Sequence, residues 1–311
     1  MNDIEHLEKL YEKLKSENMR HMVKVHSEIR HALHEFFIEK GFCEIPPIII
    51  APITDPLNHP VYKTHVDYYG YNYGITQSMI FHKQIALLSY DKVFIFSPNV
   101  RLEPLDRKST GRHLAEFTQV DIEIKNASRE YVMNLAEDMY IYVLKKVTER
   151  AIEDLEYFHR KISLPNKPFK KFDYSEYRKK LGDGFDMQLS KEEKDPFWLV
   201  DIPLYDREFY DRESEEKENL LVDMDMYYPE GYGEAISGGE REYQYERIIE
   251  RIKKKGQNVQ QFAYYLELAK KGLPRSAGFG IGVERLTRYI TGIKNIEDTI
   301  PFPRCIGSFS F

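Results

Sequence analysis

One stretch limits what this chain can fold into more than any other: Ser97–Glu123, SPNVRLEPLDRKSTGRHLAEFTQVDIE. Two strand-like halves, Asn99–Leu102 and Phe117–Glu123, flank a polar loop holding Lys108, Ser109, Thr110 and Gly111. Arg101 and Glu103 belong to the first half, Arg112 and His113 close the loop, and Phe117 opens the second half. Paired strands hold such cations in fixed places, with a cation-bearing loop above them. That arrangement suits a nucleoside triphosphate, because guanidiniums grip phosphate oxygens two at a time and an aromatic face takes a base. A surface hairpin with merely solvated charges would carry the same residues.

A second stretch, Gly278-Phe279-Gly280-Ile281-Gly282-Val283-Glu284-Arg285-Leu286, reads as a glycine-relieved strand running into a helix. Glycines at alternate positions share one face of a strand, so a flat ligand could approach that backbone closely. Arg285 then falls in the first helical turn, where backbone N–H groups also favour an anion. A dinucleotide-binding turn is excluded: it needs G-x-G-x-x-G and an acid about 20 residues further on. Here the spacing is G-x-G-x-G, and only 26 residues follow Arg285.

With 311 residues, 42% hydrophobic and 31% charged, the chain can bury a substantial core. No apolar run approaches the roughly 20 residues of a membrane span and no signal peptide opens the chain, so no membrane partner is expected. Cys43 and Cys305 lack metal or C-x-x-C spacing and read as reduced thiols of a cytoplasmic protein. A net charge of −6 gives no general pull toward nucleic acid.

Periodicity predicts helices over residues 3–16 and Arg20–Lys40, a strand over Phe42–Ile50 interrupted by Pro46-Pro47, and a strand over Tyr68–Gly74. Helices are expected over Gln77–Leu88, Glu130–Glu153, Tyr243–Lys255 and Val259–Lys271, the last two stopped by Gly256 and Gly272. Strands are expected over Phe197–Pro203, Leu220–Met226 and Tyr232–Ser237. Ser163–Asp195, with its prolines and glycines, breaks the rhythm and marks about 160–196 as an insertion. Asp206–Asn219 is highly charged and reads as a solvated loop.

Arg101-x-Glu103, Arg112-His113-x-x-x-Phe117 and Gly280-x-Gly282-x-Glu284-Arg285 together resemble motifs 2 and 3 of the class II aminoacyl-tRNA synthetases. Gln77-Ser78-x-x-x-x-Lys83-Gln84, Phe117-Thr118-Gln119-Val120-Asp121 and Gly233-Glu234-x-x-Ser237-Gly238-Gly239-x-Arg241 point to the aspartyl/asparaginyl branch. Pro52-Ile53-Thr54-Asp55-Pro56, Ser97-Pro98-Asn99 and Pro301-Phe302-Pro303-Arg304 further resemble the archaeal asparagine synthetases related to asparaginyl-tRNA synthetase.

The resemblance implies an α+β fold, an antiparallel sheet flanked by helices, with residues 1–311 as a single catalytic domain. The segment Arg20–Ile50 resembles motif 1, which implies a homodimer. ATP would lie against Arg101 on the α-phosphate, Arg112 and His113 on the outer phosphates, Phe117 on adenine and Arg285 on the γ-phosphate, with Glu103 beside it. Arg101 and Arg285 would carry the catalysis. Glu234 and Ser237 match the family's Mg²⁺ ligands, with Glu234 thereby also bound to ATP and Asp225 a lesser ligand. Gln77 and Asp121 would take the α-ammonium of aspartate, and Lys83 and Arg241 a carboxylate.

Only about 20 residues precede the motif 1 helix, so the family's anticodon-gripping β-barrel is expected to be absent. On that ground the expected partners are aspartate, ATP and ammonia, and tRNA is not expected. The expected activity is an AMP-forming aspartate–ammonia ligase that makes asparagine. The alternative is a truncated aspartyl/asparaginyl-tRNA synthetase paralogue that aminoacylates a tRNA or another acceptor.

Overall fold

A computed structural model describes residues 3–308, so the first two and last three positions of the expected domain lie outside the described residues. The chain opens with helices α1 (Asp3–Lys15) and α2 (Glu17–Glu39), short strands β1 (Cys43–Glu44) and β2 (Ile50–Ala51), and a hairpin of β3 (His65–Tyr68) and β4 (Tyr71–Ile75). Helix α3 (Ile80–Ala86) precedes the long hairpin β5 (Lys92–Val100) and β6 (Glu116–Lys125), followed by α4 (Arg129–Arg150) and α5 (Ile152–Tyr157). Next come β7 (Lys170–Asp173), α6 (Tyr174–Leu181), α7 (Phe185–Glu192) and β8 (Phe197–Val200). Strands β9 (Asp223–Tyr228) and β10 (Gly233–Glu240), helices α8 (Tyr245–Lys254) and α9 (Ala263–Lys270), strand β11 (Ser276–Gly282) and helix α10 (Val283–Thr291) complete the fold.

One eight-stranded sheet runs β1-β5-β6-β11-β10-β9-β8-β7, with parallel pairs only at its two edges. This is the expected α+β architecture. Strand alternation separates two chemistries. Phe94, Val120, Ile122, Ala277, Phe279, Ile281, Met224 and Met226 point to one side and pack with α2, α4 and α10 in the main core. Gln119, Asp121, Asp223 and Ser237, by contrast, line an open cleft. At roughly 1.5–3 kcal/mol per buried large apolar side chain, the packed face supplies the driving force that lets the other stay polar.

Several expectations change. The strand over Phe42–Ile50 survives only as β1 and β2, because Pro46 and Pro47 offer no N–H to a ladder. Tyr68–Gly74 is a hairpin, turned by Tyr69 (φ 49°) and Gly70 (φ 80°) in the left-handed region that such tight turns require. The helix expected from Gln77 starts only at Ile80. The long helix ends at Arg150, and α5 follows as a separate piece. Within the segment 160–196, still expected as an insertion, β7 forms the last strand of the sheet against β8.

One correction concerns burial. Asp206–Asn219 is not simply solvated: within it Phe209 is 0% and Asp211 4% exposed. The apolar face of α2, from Met22 to Phe37, is covered by its own sheet and α4.

Candidate active site

A cleft of about 330 Å³ opens on the polar face of the sheet. Arg101, Glu103, Arg112, His113, Phe117, Lys83, Asp121, Glu234, Ser237, Arg241 and Arg285 all line it. Of the residues expected in a site, Gln77 and Asp225 are not part of its lining. Gln77 instead works through its backbone, whose carbonyl accepts from Arg101 Nε at 3.0 Å. Asp225 lies just beneath the surface, cross-strand from Ser237.

The first group of residues is cationic. The Arg101 guanidinium stands 5.2 Å from the centre of the Phe117 ring. Arg285, in the first turn of α10, donates to Glu234 Oε1 at 2.9 Å and to the Arg112 carbonyl at 3.4 Å. His113 Nδ1 is 2.6 Å from Thr110 Oγ1. Burial, helped by Arg285 and Arg112, pushes the His113 imidazole down to about 3, so it is neutral at pH 7. Burial works against a charge on Glu103, yet His59, whose Nε2 lies 3.0 Å from Oε1, helps hold that carboxyl below its usual range.

Glu234 and Ser237 would fall on opposite faces of a regular strand. A bulge between Glu234 and Ile236 brings both to the cleft. Burial disfavours the charged Glu234, but Arg285, Arg207 and Arg112 outweigh it and keep the carboxyl below its ordinary value. Asp225 is pushed up to about 6 by burial, against the attraction of Arg207, with which it is paired. No group of three or more His, Cys, Asp or Glu arranged for a metal occurs among the described residues. Two carboxylates and a hydroxyl are nevertheless an all-oxygen set, and Asp225 Oδ1 is buried without a hydrogen-bond partner. That chemistry fits Mg²⁺.

The second group is a buried ion network. Lys83, 2% exposed, pairs with Asp121 at 2.9 Å and Glu123 at 3.6 Å. Arg241 pairs with the same Glu123 at 3.3 Å and with Asp211 at 2.8 Å. One fully buried carboxylate is thus shared by two cations. The glycine face makes room for these side chains rather than for a flat ligand. A Cβ on Gly278 would meet Glu123 Oε2 at 2.2 Å, and one on Gly280 would meet Gln119 Nε2 at 1.8 Å.

Sequence reasoning missed Arg207, Asp211, Asp223, Glu123 and Gln119. Arg207 and Asp211 sit in the stretch read as solvated; the Phe209-Tyr210 pair between them was the available sign, since two adjacent aromatics seldom stay in water. Glu123 and Asp223 carried no sign beyond falling on the same strand face as Asp121 and Asp225.

Fold and cleft together define a class II aminoacyl-tRNA synthetase catalytic domain. The family described as tRNA synthetases class II (D, K and N) matches residues 2–306, and the chain belongs to it. An asparagine–tRNA ligase of Bacillus cereus (strain ZK / E33L) is 33% identical over 93% of this chain and 71% of its own length. One from Koribacter versatilis is 30% identical over 94% of this chain and 70% of its own. The crystal structure of asparaginyl-tRNA synthetase from Pyrococcus horikoshii with asparaginyl-adenylate superposes with a TM-score of 0.86, at 25% identity, over 95% of this chain and 71% of that one. The chain is therefore a ligase, and an ATP-binding one.

These relatives correct two expectations. They are named for ligation to tRNA, which overturns both the ammonia-dependent asparagine synthetase reading and the expectation that tRNA is not a partner. The reason is physical. The shared blocks account for the activation chemistry, which both readings need, so they did not choose between ammonia and a tRNA end.

Proposed function

We propose that this chain activates aspartate with ATP and transfers the aspartyl group to the 3′ end of a tRNA. The observation that carries the reading is the single cleft lined both by Arg101, Arg112, His113 and Arg285 and by Lys83, Asp121 and Arg241. An α-carboxylate oxygen of aspartate attacks the α-phosphorus, a new P–O bond forms, and the bond to the bridging oxygen breaks to release pyrophosphate. A terminal ribose hydroxyl of tRNA then attacks the carbonyl carbon of the adenylate, and AMP leaves.

Arg101 takes the α-phosphate and Arg112, His113 and Arg285 the outer phosphates, while Phe117 stacks on adenine beside Glu103. Catalysis is positioning and charge neutralisation, and no protein nucleophile is required. Glu234, Ser237 and Asp225 would hold Mg²⁺, which when bound offsets triphosphate charge. An arriving α-ammonium replaces Lys83 at Asp121, with the Gln77 segment behind it. Lys83 is then left sharing Glu123 with Arg241 and needs an anion, which the side-chain carboxylate of aspartate supplies. We further propose that residues 1–311 act as one catalytic domain. We also propose that it works as a homodimer through Arg20–Ile50, a segment that leaves Ile49 64% exposed and whose β1 forms one edge of the large sheet.

Pyrophosphate exchange into ATP tests the activation step. Exchange should require aspartate and exceed that with asparagine by at least about tenfold. Preference for asparagine would overturn the role given to Lys83 and leave the adenylate chemistry standing. A second test concerns His113. Its imidazole is neutral in the free protein, and the proposed contact with the outer phosphates requires their charge to raise its pKa far above 3, so that it takes up a proton on binding. ATP affinity should therefore strengthen as pH falls from 7.5 to 5.5. Because ATP itself titrates there, the quantity to read is the difference in slope between native protein and His113→Gln, which should be flatter.

A further inference from the structure

Strand β6 pairs with β11 through Gly282↔Gln119, the last pair before the chain turns into α10. The next β6 residue whose N–H faces that side is Thr118, and no strand carbonyl remains to receive it. Glu284 fills the gap, both of its carboxylate oxygens lying 3.0 Å from the Thr118 nitrogen. The side chain is 4% exposed at the cleft wall. It therefore fixes the backbone one residue from Phe117, the ring over which Arg101 stands.

We propose that Glu284 positions the Phe117 ring for the nucleotide base, acting through the Thr118 backbone rather than by touching the nucleotide. The inference rests on Phe117 being the adenine platform. A purely apolar residue would pack as well at this buried site, yet the chain places a carboxyl there. Burial pushes that carboxyl up to about 7, against the pull of its own and the Thr118 N–H groups and of Arg30 from α2. Helix α2 is held to α10 close by, since His26 Nδ1 lies 3.1 Å from Thr287 Oγ1. What Glu284 must do is accept a hydrogen bond, which either protonation state can do and an alkyl chain cannot.

The test is ATP and aspartate binding, measured separately on native protein, Glu284→Ala, Glu284→Gln, Phe117→Ala and the double variant Phe117→Ala/Glu284→Ala. Glu284→Ala should weaken ATP binding about tenfold with aspartate affinity within about twofold. Glu284→Gln, which keeps an acceptor oxygen, should bind ATP nearly as the native protein does. Adding Glu284→Ala to Phe117→Ala should cost nothing further, because both act on one contact. Equal weakening of ATP and aspartate, or additive losses in the double variant, would overturn the inference. If Glu284→Ala does not fold, a tenfold ATP loss in Glu284→Gln would overturn it and native-like ATP binding would support it. Native ATP affinity in Phe117→Ala would remove the platform itself, and the inference with it.

Discussion

Replacing Arg285 by alanine should lower aspartate-dependent pyrophosphate exchange by about 10²-fold or more, a loss of roughly 2.7–4 kcal/mol of transition-state stabilisation. Arg285 reaches the cleft from the first turn of α10 and is paired in the free protein with Glu234 at 2.9 Å. A cation poised against an acid that the substrate complex also uses must change partners when a triphosphate arrives. Alanine removes the phosphate contact and leaves Glu234 repelling the incoming charge, so both effects act in one direction. Lysine at this position should recover only part of the loss, because a single ammonium cannot reproduce the planar fork. Steady-state exchange with ATP as the varied substrate reads this directly. Near-native turnover in Arg285→Ala would mean that the outer phosphates lie elsewhere.

Lys83→Met is expected to have the second large effect, and it should divide between function and stability. In the free protein the Lys83 ammonium is buried between Asp121 and Glu123. Removing it leaves two buried carboxylates with one cation fewer, which costs about 3–5 kcal/mol of folding stability. Denaturant unfolding should register that cost. Exchange with aspartate should fall by about 10²-fold or more, since the side-chain carboxylate loses its partner, while exchange with asparagine should fall much less. Equal losses for both amino acids would show that Lys83 supports the pocket without selecting its occupant.

The sequence made some of this legible. Alternation in Ser97–Glu123 placed Arg101, Phe117 and Asp121 on one hairpin, and the glycine-rich run placed Arg285 at a helix start. The structure keeps both because period-2 and strand-to-helix patterns are local, and local patterns survive tertiary context. The two prolines that reduced Phe42–Ile50 to fragments were visible, but how far they would break the ladder was not. Counter-ions were the larger blind spot. Lys83 and Arg241 read as a free cationic pair, whereas Asp121 and Glu123 already neutralise the first, and Glu123 and Asp211 the second, from strand and loop positions far apart in sequence. Such pairing is decided by sheet register, which no single strand reveals. The stretch from Arg207 to Asp211 was hidden for the opposite reason. Its charge density resembles that of a solvated loop, and only burial by α8 and α9, through contacts such as Phe209 with Tyr265, separates the two. The acceptor was not legible at all, since the site blocks were read through the activation step that both acceptors share.

The most direct test of the central claim is transfer to tRNA. Purified protein is incubated with labelled aspartate, ATP, Mg²⁺ and total tRNA, and label bound to tRNA is counted. Base-labile label should appear on tRNA, formed with AMP and pyrophosphate and absent when the tRNA 3′ diol has been oxidised with periodate. Aspartate-dependent AMP formation that proceeds equally without tRNA and leaves no label on it would contradict the account.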